Sequence, residues 1–428
     1  MNSPEPLPPS LYAATARPAT ATPPLDGDAR ADVVVVGAGF TGLSTALHLA
    51  EQGADVIVLE SHEPGWGASG RNGGQVNPGL KWDPDDVESK FGPDLGPRLV
   101  RFAWGAPEAT FALIRRYQIE CDARQGGTMR AAYLPRDAEN LRRLVEQCQR
   151  RGMPVTLLDE NAARDATGTS RYLAVLRDAS GGDVQPLDYA RGLARVAIAA
   201  GAKIHGATPV TGLARSATGW NVTTPRGTVT AAAVIAGTNG YSDDLIPGLR
   251  RSVVPAFSSI AATEPLEASL ADKIMPRGGV LYEAARITTY YRIDKAKRLL
   301  MGGRGPQWSD IGLGDLAHLT NYATRLWPDL KSVRWTHAWN GQVAITTDQY
   351  PHVHQPQKGL YACVGYNGRG VAFSTVMGAE LAKLALGKRA EDIHLPVTAI
   401  KPLPLHAFWR VGLTAKLIEL RLRDRFGI

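Results

Sequence analysis

The sequence is poor in cysteine. Cys121, Cys148 and Cys363 are its three, and no two of them form a CxxC pair. This argues against a disulfide framework and against a cysteine zinc site, and fits a reduced, cytoplasmic compartment. No run reaches the roughly 18 uncharged apolar residues of a membrane span. The first thirty residues, rich in Pro, Ala and Thr, lack the basic and apolar stretches of a secretory signal. Residues 1–30 are therefore expected to form an extended arm, with Leu11 and Tyr12 tucked onto the body. A basic stripe interleaved with aromatics is also missing. The net charge is +7, but residues 401–428 hold six Lys/Arg against two acids, so the body is nearly balanced. Nucleic acid is not an expected partner.

What is present is an ordinary globular composition, 44% hydrophobic and 21% charged. The run Asp32-Val-Val-Val-Val36 reads as a strand buried on both faces of a parallel sheet. A glycine-rich turn follows, then a helix over 43–53 and a second buried strand ending at Glu60. Gly37-Ala-Gly39-Phe40-Thr41-Gly42 is a GxGxxG in the context that motif requires. Gly37 allows the tight turn, Gly39 lets a pyrophosphate approach the backbone, and Gly42 lets the helix pack close to the sheet. Free N–H groups at the helix start favour an anion there. Glu60, with Ser61 beside it, stands where an acid bonds ribose hydroxyls and disfavours a 2′-phosphate. This unit serves NAD or FAD equally well.

Further along, 97–117, 138–151 and 187–201 read as helices, and 126–133, 172–178 and Lys203–His205 as strands. Residues 210–237 alternate as a meander that finishes in a buried strand. Residues 252–263 and 279–303 look like antiparallel strands, 318–326 a helix, 361–364 a strand and 372–386 a last helix. Buried-strand units at both ends with antiparallel material between imply an α/β fold, its nucleotide domain assembled from discontinuous pieces. His352 and His354 have no third ligand in view, so no metal site is expected.

The segment Gly65-Trp-Gly-Ala-Ser-Gly-Arg-Asn-Gly-Gly74 decides between the nucleotides. With it, the chain resembles the D-amino-acid-oxidase-like family of FAD-dependent oxidoreductases, most of all its gamma-glutamylputrescine oxidase branch. The resemblance runs from about Leu11 nearly to the end. It rests on VVVVGAGFTGLSTALHLAEQGADVIVLE, GWGASGRNGGQ, GGDVQPLDYARGLA and GTNGYSDDLIPGLRRSVVP. It continues through YYRIDKAKRLLMGGRG, WNGQVAITTDQYPHV and VGYNGRGVAFSTVMGAELAKLALG.

The resemblance implies a Rossmann-type FAD domain over 31–120, 180–249 and 331–394. An antiparallel substrate domain over 121–179 and 250–330 is inserted in it, and a basic amphipathic tail covers 395–428. It implies that the loop holding Gly67, Ala68, Ser69, Arg71, Asn72, Gly73 and Gly74 wraps the flavin. Asn367, Gly368, Gly370 and Val371 would open a helix at the ring's pyrimidine end, where the helix dipole steadies the charge of reduced flavin. Gly237, Thr238 and Asn239 form a third contacting turn, Val210 lies near the adenine, and Gly341 faces the flavin. On the substrate side the resemblance implies Arg71, Tyr290, Arg292, Arg304 and a wall at Trp339. Strand alternation puts Tyr290 and Arg292 on one face, and Tyr291 on the other.

Three departures from relatives matter. Gly341 replaces the cysteine that anchors flavin covalently in sarcosine-oxidase-like enzymes, so FAD is expected to be non-covalent. Leu300 replaces their oxygen-activating lysine, which leaves O2 or another acceptor open. Gln342 and Val343 stand in the segment where amino-acid oxidases place a carboxylate-binding arginine. The expected activity is oxidation of an amine C–N bond by hydride transfer to flavin N5, on a gamma-glutamylated or otherwise extended amine. The alternatives are an oxidase of free amino or imino acids, and a non-catalytic FAD-binding subunit. In the tail, Leu413, Leu417, Ile418 and Leu420 make an apolar face with Lys416, Arg421, Arg423 and Arg425 around it. That face is expected to dock on the body in preference to an anionic membrane surface.

Overall fold

The computed structural model describes residues 5–426. From β1 (Ala29–Val36) the chain enters the helix Phe40–Ala50 and returns in β2 (Val56–Leu59). Val34, Val35, Val56 and Val58 are fully buried, as a strand covered on both faces requires. The helix begins three residues before the expected Leu43. Only Gly37 to Gly39 turn, and Gly42 sits inside the first helical turn, where a Cβ would lie 1.9 Å from the Gly37 carbonyl oxygen. The third glycine is a packing residue, which is why the helix can sit so close to β1.

The short β3 (Gln75–Val76) follows the glycine-rich loop, and then the helix Pro84–Arg116, bent at Gly92 (φ 75°). After it come β4 (Thr128–Ala132), β5 (Val155–Leu158), β6 (Ala174–Asp178) and β7 (Gly182–Asp183). The helix Pro186–Ala199 leads to β8 (Lys203–His205) and the meander β9 (Gly212–Arg215), β10 (Trp220–Thr224) and β11 (Gly227–Ala236). Then follow β12 (Val254–Thr263), β13 (Val280–Glu283), β14 (Tyr290–Ile293), β15 (Leu299–Arg304) and β16 (Trp335–Ile345). β17 (His352–Gln357), β18 (Leu360–Val364), the helix Gly370–Ala385 and β19 (Val397–Thr398) complete the body.

These strands form two large sheets. One runs β19-β17-β18-β11-β1-β2-β8, with β1 parallel to both neighbours; the other runs β16-β12-β15-β14-β13-β4-β6-β5. A ligand in the first belongs at the carboxyl ends of β1, β2 and β11. One expected boundary moves. Residues 335–345, assigned from sequence to the nucleotide domain, pair along β12 from Val254↔Ile345 to Thr263↔Trp335 and close the second sheet.

The expected arm is partly helical. Ser10 caps a turn at Leu11–Thr15, accepting from the Ala13 N–H at 3.1 Å. Leu11 and Tyr12 are buried against Leu187, Ile260, Leu300 and Trp339. At the other end, the helix Trp409–Phe426 keeps Leu413, Leu417 and Leu420 half-buried while Val411, Ile418 and Leu422 face solvent. Its Arg421 and Arg425 side chains, like residues 427–428 and 1–4, lie outside those described. Among the described residues no helix is long and apolar enough to cross a membrane. His352 and His354 stack on one another and bond Asp348 and the Thr398 carbonyl.

A buried ion pair ties the second sheet to the small two-stranded sheet of β3 and β7. Arg292 on β14 donates to Asp183 on β7 at 2.9 Å, with side chains 4% and 1% exposed, and Arg124 reaches the same carboxylate at 2.6 Å. Arg292 also donates to Gly73 O (2.9 Å), Val184 O (3.3 Å) and Tyr12 Oη (3.3 Å). Breaking such a pair leaves an uncompensated buried charge. Asp183→Asn is expected to cost about 3–5 kcal/mol, read as a lower urea midpoint. A midpoint within error of wild type would show that the sheets are held elsewhere.

Candidate functional site

A cavity of about 550 Å³ opens at the carboxyl ends of β1, β2 and β11 and extends to β14 and β16. Its phosphate end is backbone. Gly37 turns at φ +96°, and a Cβ on Gly39 would lie 2.9 Å from Ser69 Oγ. Gly39 caps the helix Phe40–Ala50 without a side chain, so the first-turn N–H groups of Phe40 and Thr41 edge the cavity; Phe40 N–H donates to Ser69 Oγ at 2.9 Å. A bare helix start lined by glycine suits a pyrophosphate.

At the end of β2, Glu60 holds its carboxylate in place. One oxygen accepts from Ala38 N–H (2.7 Å), the other from His62 N–H (3.0 Å) and Ser61 Oγ–H (3.2 Å). Glu60, Ser61 and Val210 share this wall. An ionised carboxyl has lone pairs left for a ribose diol.

The loop 67–74 is stapled by Asn72. Its amide donates to Ala68 O (3.1 Å) and Ser69 O (2.9 Å), and its oxygen accepts from Gly74 N–H (2.8 Å). Arg71 donates Nε–H to Trp66 O at 2.7 Å, with its guanidinium 4.1 Å from the Trp66 ring and 5.8 Å from that of Tyr241. This pins Arg71 on the cavity wall, beside Gly67, Ala68 and Gly73. Facing the loop are Gly237, Thr238, Asn239 and Gly341, the last so close that a Cβ would sit 3.0 Å from Arg71 Cβ. Asn367 (φ 52°) and Gly368 (φ +84°) turn into the helix Gly370–Ala385, and Val371 lies in its first turn. Tyr366 Oη and Thr41 Oγ1, 2.7 Å apart, link the starts of the two helices.

Tyr290 lines the cavity, bonded to Ser258 Oγ at 3.1 Å, its hydroxyl pushed up to about 12 by burial. Five residues expected at the site do not line the cavity. Arg292 shares a strand face with Tyr290 but lies beneath Gly73, spent on Asp183. Trp339 is 2% exposed and donates to Arg71 O at 3.0 Å, supporting the loop from behind the wall. Arg304 is not on the wall and donates to Phe257 O. Gly42 and Gly74 are structural: a Cβ on Gly74 would meet Val184 O at 2.3 Å and Arg292 at 2.8 Å. The wall also holds residues the sequence reading missed, chiefly Trp66, Lys81, Tyr241, Tyr282, Tyr366 and Arg369. Trp66, Tyr366 and Arg369 stood inside motifs whose glycines drew the attention. Lys81 and Tyr282 come together only through the tertiary fold.

A glycine-lined cleft at the ends of parallel strands, closed by a second sheet, defines a dinucleotide-dependent redox protein. The chain belongs to the DAO family, described as FAD dependent oxidoreductase, whose model matches residues 32–384. It is an FAD-dependent oxidoreductase. It is 34% identical to gamma-glutamylputrescine oxidoreductase of Escherichia coli (strain K12) over 98% of this chain and 99% of that protein. It is 32% identical to the probable oxidoreductase OrdL of Rhizobium meliloti (strain 1021), over 97% of each. Among solved structures, glycine oxidase from Geobacillus kaustophilus superposes with a TM-score of 0.72 at 23% identity, covering 84% of this chain and 96% of that one. That likeness shows the fold.

The cavity suits FAD on its own geometry: a glycine-lined helix start for the phosphates, a fixed carboxylate for the ribose, and a glycine-rich loop for the ring. Glu60→Ala is expected to weaken FAD binding by about 1.5–3 kcal/mol, measured by titrating apoprotein with FAD, while circular dichroism stays that of wild type. Equal affinity would remove Glu60 from the site. The three cysteines are buried and none lies on the wall. Acid precipitation is expected to leave flavin in the supernatant; a yellow pellet would mean a covalent link.

Proposed function

We propose that this chain oxidises the C–N bond of an extended amine, of the gamma-glutamylated kind, to an imine that hydrolyses to an aldehyde. FAD, when bound, supplies the hydride acceptor at N5. What the protein supplies is positioning, because a neutral amine next to a reactive C–H bond needs alignment more than an acid–base pair. Tyr290 stays protonated at neutral pH, so it orients ligand by hydrogen bonding and is not a base. Trp66, Tyr241 and the Asn72 staple hold the loop rigid beneath it.

One observation carries the reading of substrate. β16 brings Gly341, Gln342 and Val343 to the cavity, with no cation among them, and Arg292 on β14 is locked in its ion pair. From these two strands a free amino acid finds no bidentate guanidinium for its α-carboxylate, the contact that gives both energy and alignment. The similarity to gamma-glutamylputrescine oxidoreductase over nearly the whole chain supports the same reading.

With one acceptor throughout, kcat/KM for gamma-glutamylputrescine-like amines is expected to exceed that for glycine, D-alanine, L-proline and sarcosine by about 100-fold, the scale of a lost charge-assisted pair. Equal turnover of any of these amino acids would overturn the substrate reading.

A further inference from the structure

Lys81 lies in the loop between β3 and the helix Pro84–Arg116. Its side chain is exposed through the cavity it lines, with protein packed around that opening. Among the described residues no hydrogen bond or ion pair reaches it. The charges acting on it are those of Arg369, Arg130 and Arg304, all cationic, and burial together with these pulls its ammonium down to about 7. Of the three arginines only Arg130 has an acid, Asp83 at 3.5 Å. Arg369 donates to Pro78 O at 2.7 Å and Tyr282 Oη at 3.0 Å, and its Nε–H is buried without any partner. Arg304 donates only to a carbonyl. Lys81 and Arg369 both line the cavity, and among the described residues neither has an ion pair of its own, so a ligand carboxylate would give each a charge-assisted partner.

We infer that Lys81, supported by Arg369, binds a carboxylate of the substrate, making this enzyme selective for acidic amines over neutral ones. The identity of that ligand rests on the amine oxidation proposed above; the anion site itself does not. A gamma-glutamyl group carries a carboxylate remote from the amine that is oxidised, so the two ends can occupy different walls. The same positive field disfavours a protonated amine, and so favours the neutral form from which hydride leaves.

Lys81 is the residue to change, because its removal breaks no internal hydrogen bond. The test compares gamma-glutamylputrescine with the same molecule capped as its carboxamide, in wild type, Lys81→Met and Lys81→Arg. Wild type is expected to prefer the acid by about 10–100-fold in kcat/KM, as a charge-assisted contact allows. Lys81→Met should collapse that preference to within about threefold through KM, and Lys81→Arg should restore most of it. A wild type indifferent to the cap, or a preference that survives Lys81→Met, overturns the inference. If no amine is oxidised at all, the functional reading fails separately. Calorimetry of the holoenzyme with N-acetylglutamate then decides the anion site: binding lost in Lys81→Met upholds it, and equal binding in both overturns it.

Discussion

Asp183 and Arg292 are two charges that cannot be buried apart, and the architecture follows from keeping them together. Asp183 sits on β7, which pairs with β3 at the exit of the glycine-rich loop. Arg292 sits on the second sheet. Their contact ties the second sheet to the small β3–β7 sheet, and the guanidinium's remaining donors hold Gly73 O, Val184 O and Tyr12 Oη. One residue's contacts therefore reach the glycine-rich loop 67–74, the β3–β7 sheet and the N-terminal turn. Trp339 adds a second anchor from β16 through Arg71 O. Arg292 and Trp339, expected to meet substrate, instead hold the glycine-rich loop from behind.

With the loop fixed, the cavity divides by chemistry. Its nucleotide end offers backbone N–H groups and the Glu60 carboxylate, which suit a diphosphate and a ribose. Its other end is aromatic and cationic, with Tyr290, Tyr282, Lys81 and Arg369 on the wall and no carboxylate among them. Under the proposed reading, such an end would orient an acidic ligand and favour the uncharged amine. Catalysis of the proposed kind depends on placement and field.

Local rules made the nucleotide unit legible. Asp32 to Glu60 announced strand, turn, helix and strand, because a buried parallel strand and a phosphate turn each leave a mark within a few residues. The helix there runs Phe40–Ala50, three residues ahead of the expected 43–53, with Gly42 in the packing role the motif gave it. Rules of this kind could not place β16: its Trp-Asn-Gly-Gln run has no strict alternation, and its register comes entirely from β12. Nor could they say what Arg292 does. Alternation correctly put it beside Tyr290, but whether a side chain on that face ends in the cavity or under a loop depends on Asp183, more than a hundred residues away. Lys81 was invisible for the same reason, since its meaning lies in the arginines of three other segments. Motifs report what is local to the ligand; the specificity of a pocket is assembled from afar.

The central claim is that this cleft holds an FAD that is reduced by an amine. Anaerobic titration of the purified yellow protein with gamma-glutamylputrescine, followed through the oxidised-flavin absorbance near its visible maximum, tests it most directly. The account predicts loss of that band on adding the amine and its return when an acceptor is supplied. A flavin that stays bound and fully coloured with that amine, yet bleaches with glycine or another free amino acid, would contradict it.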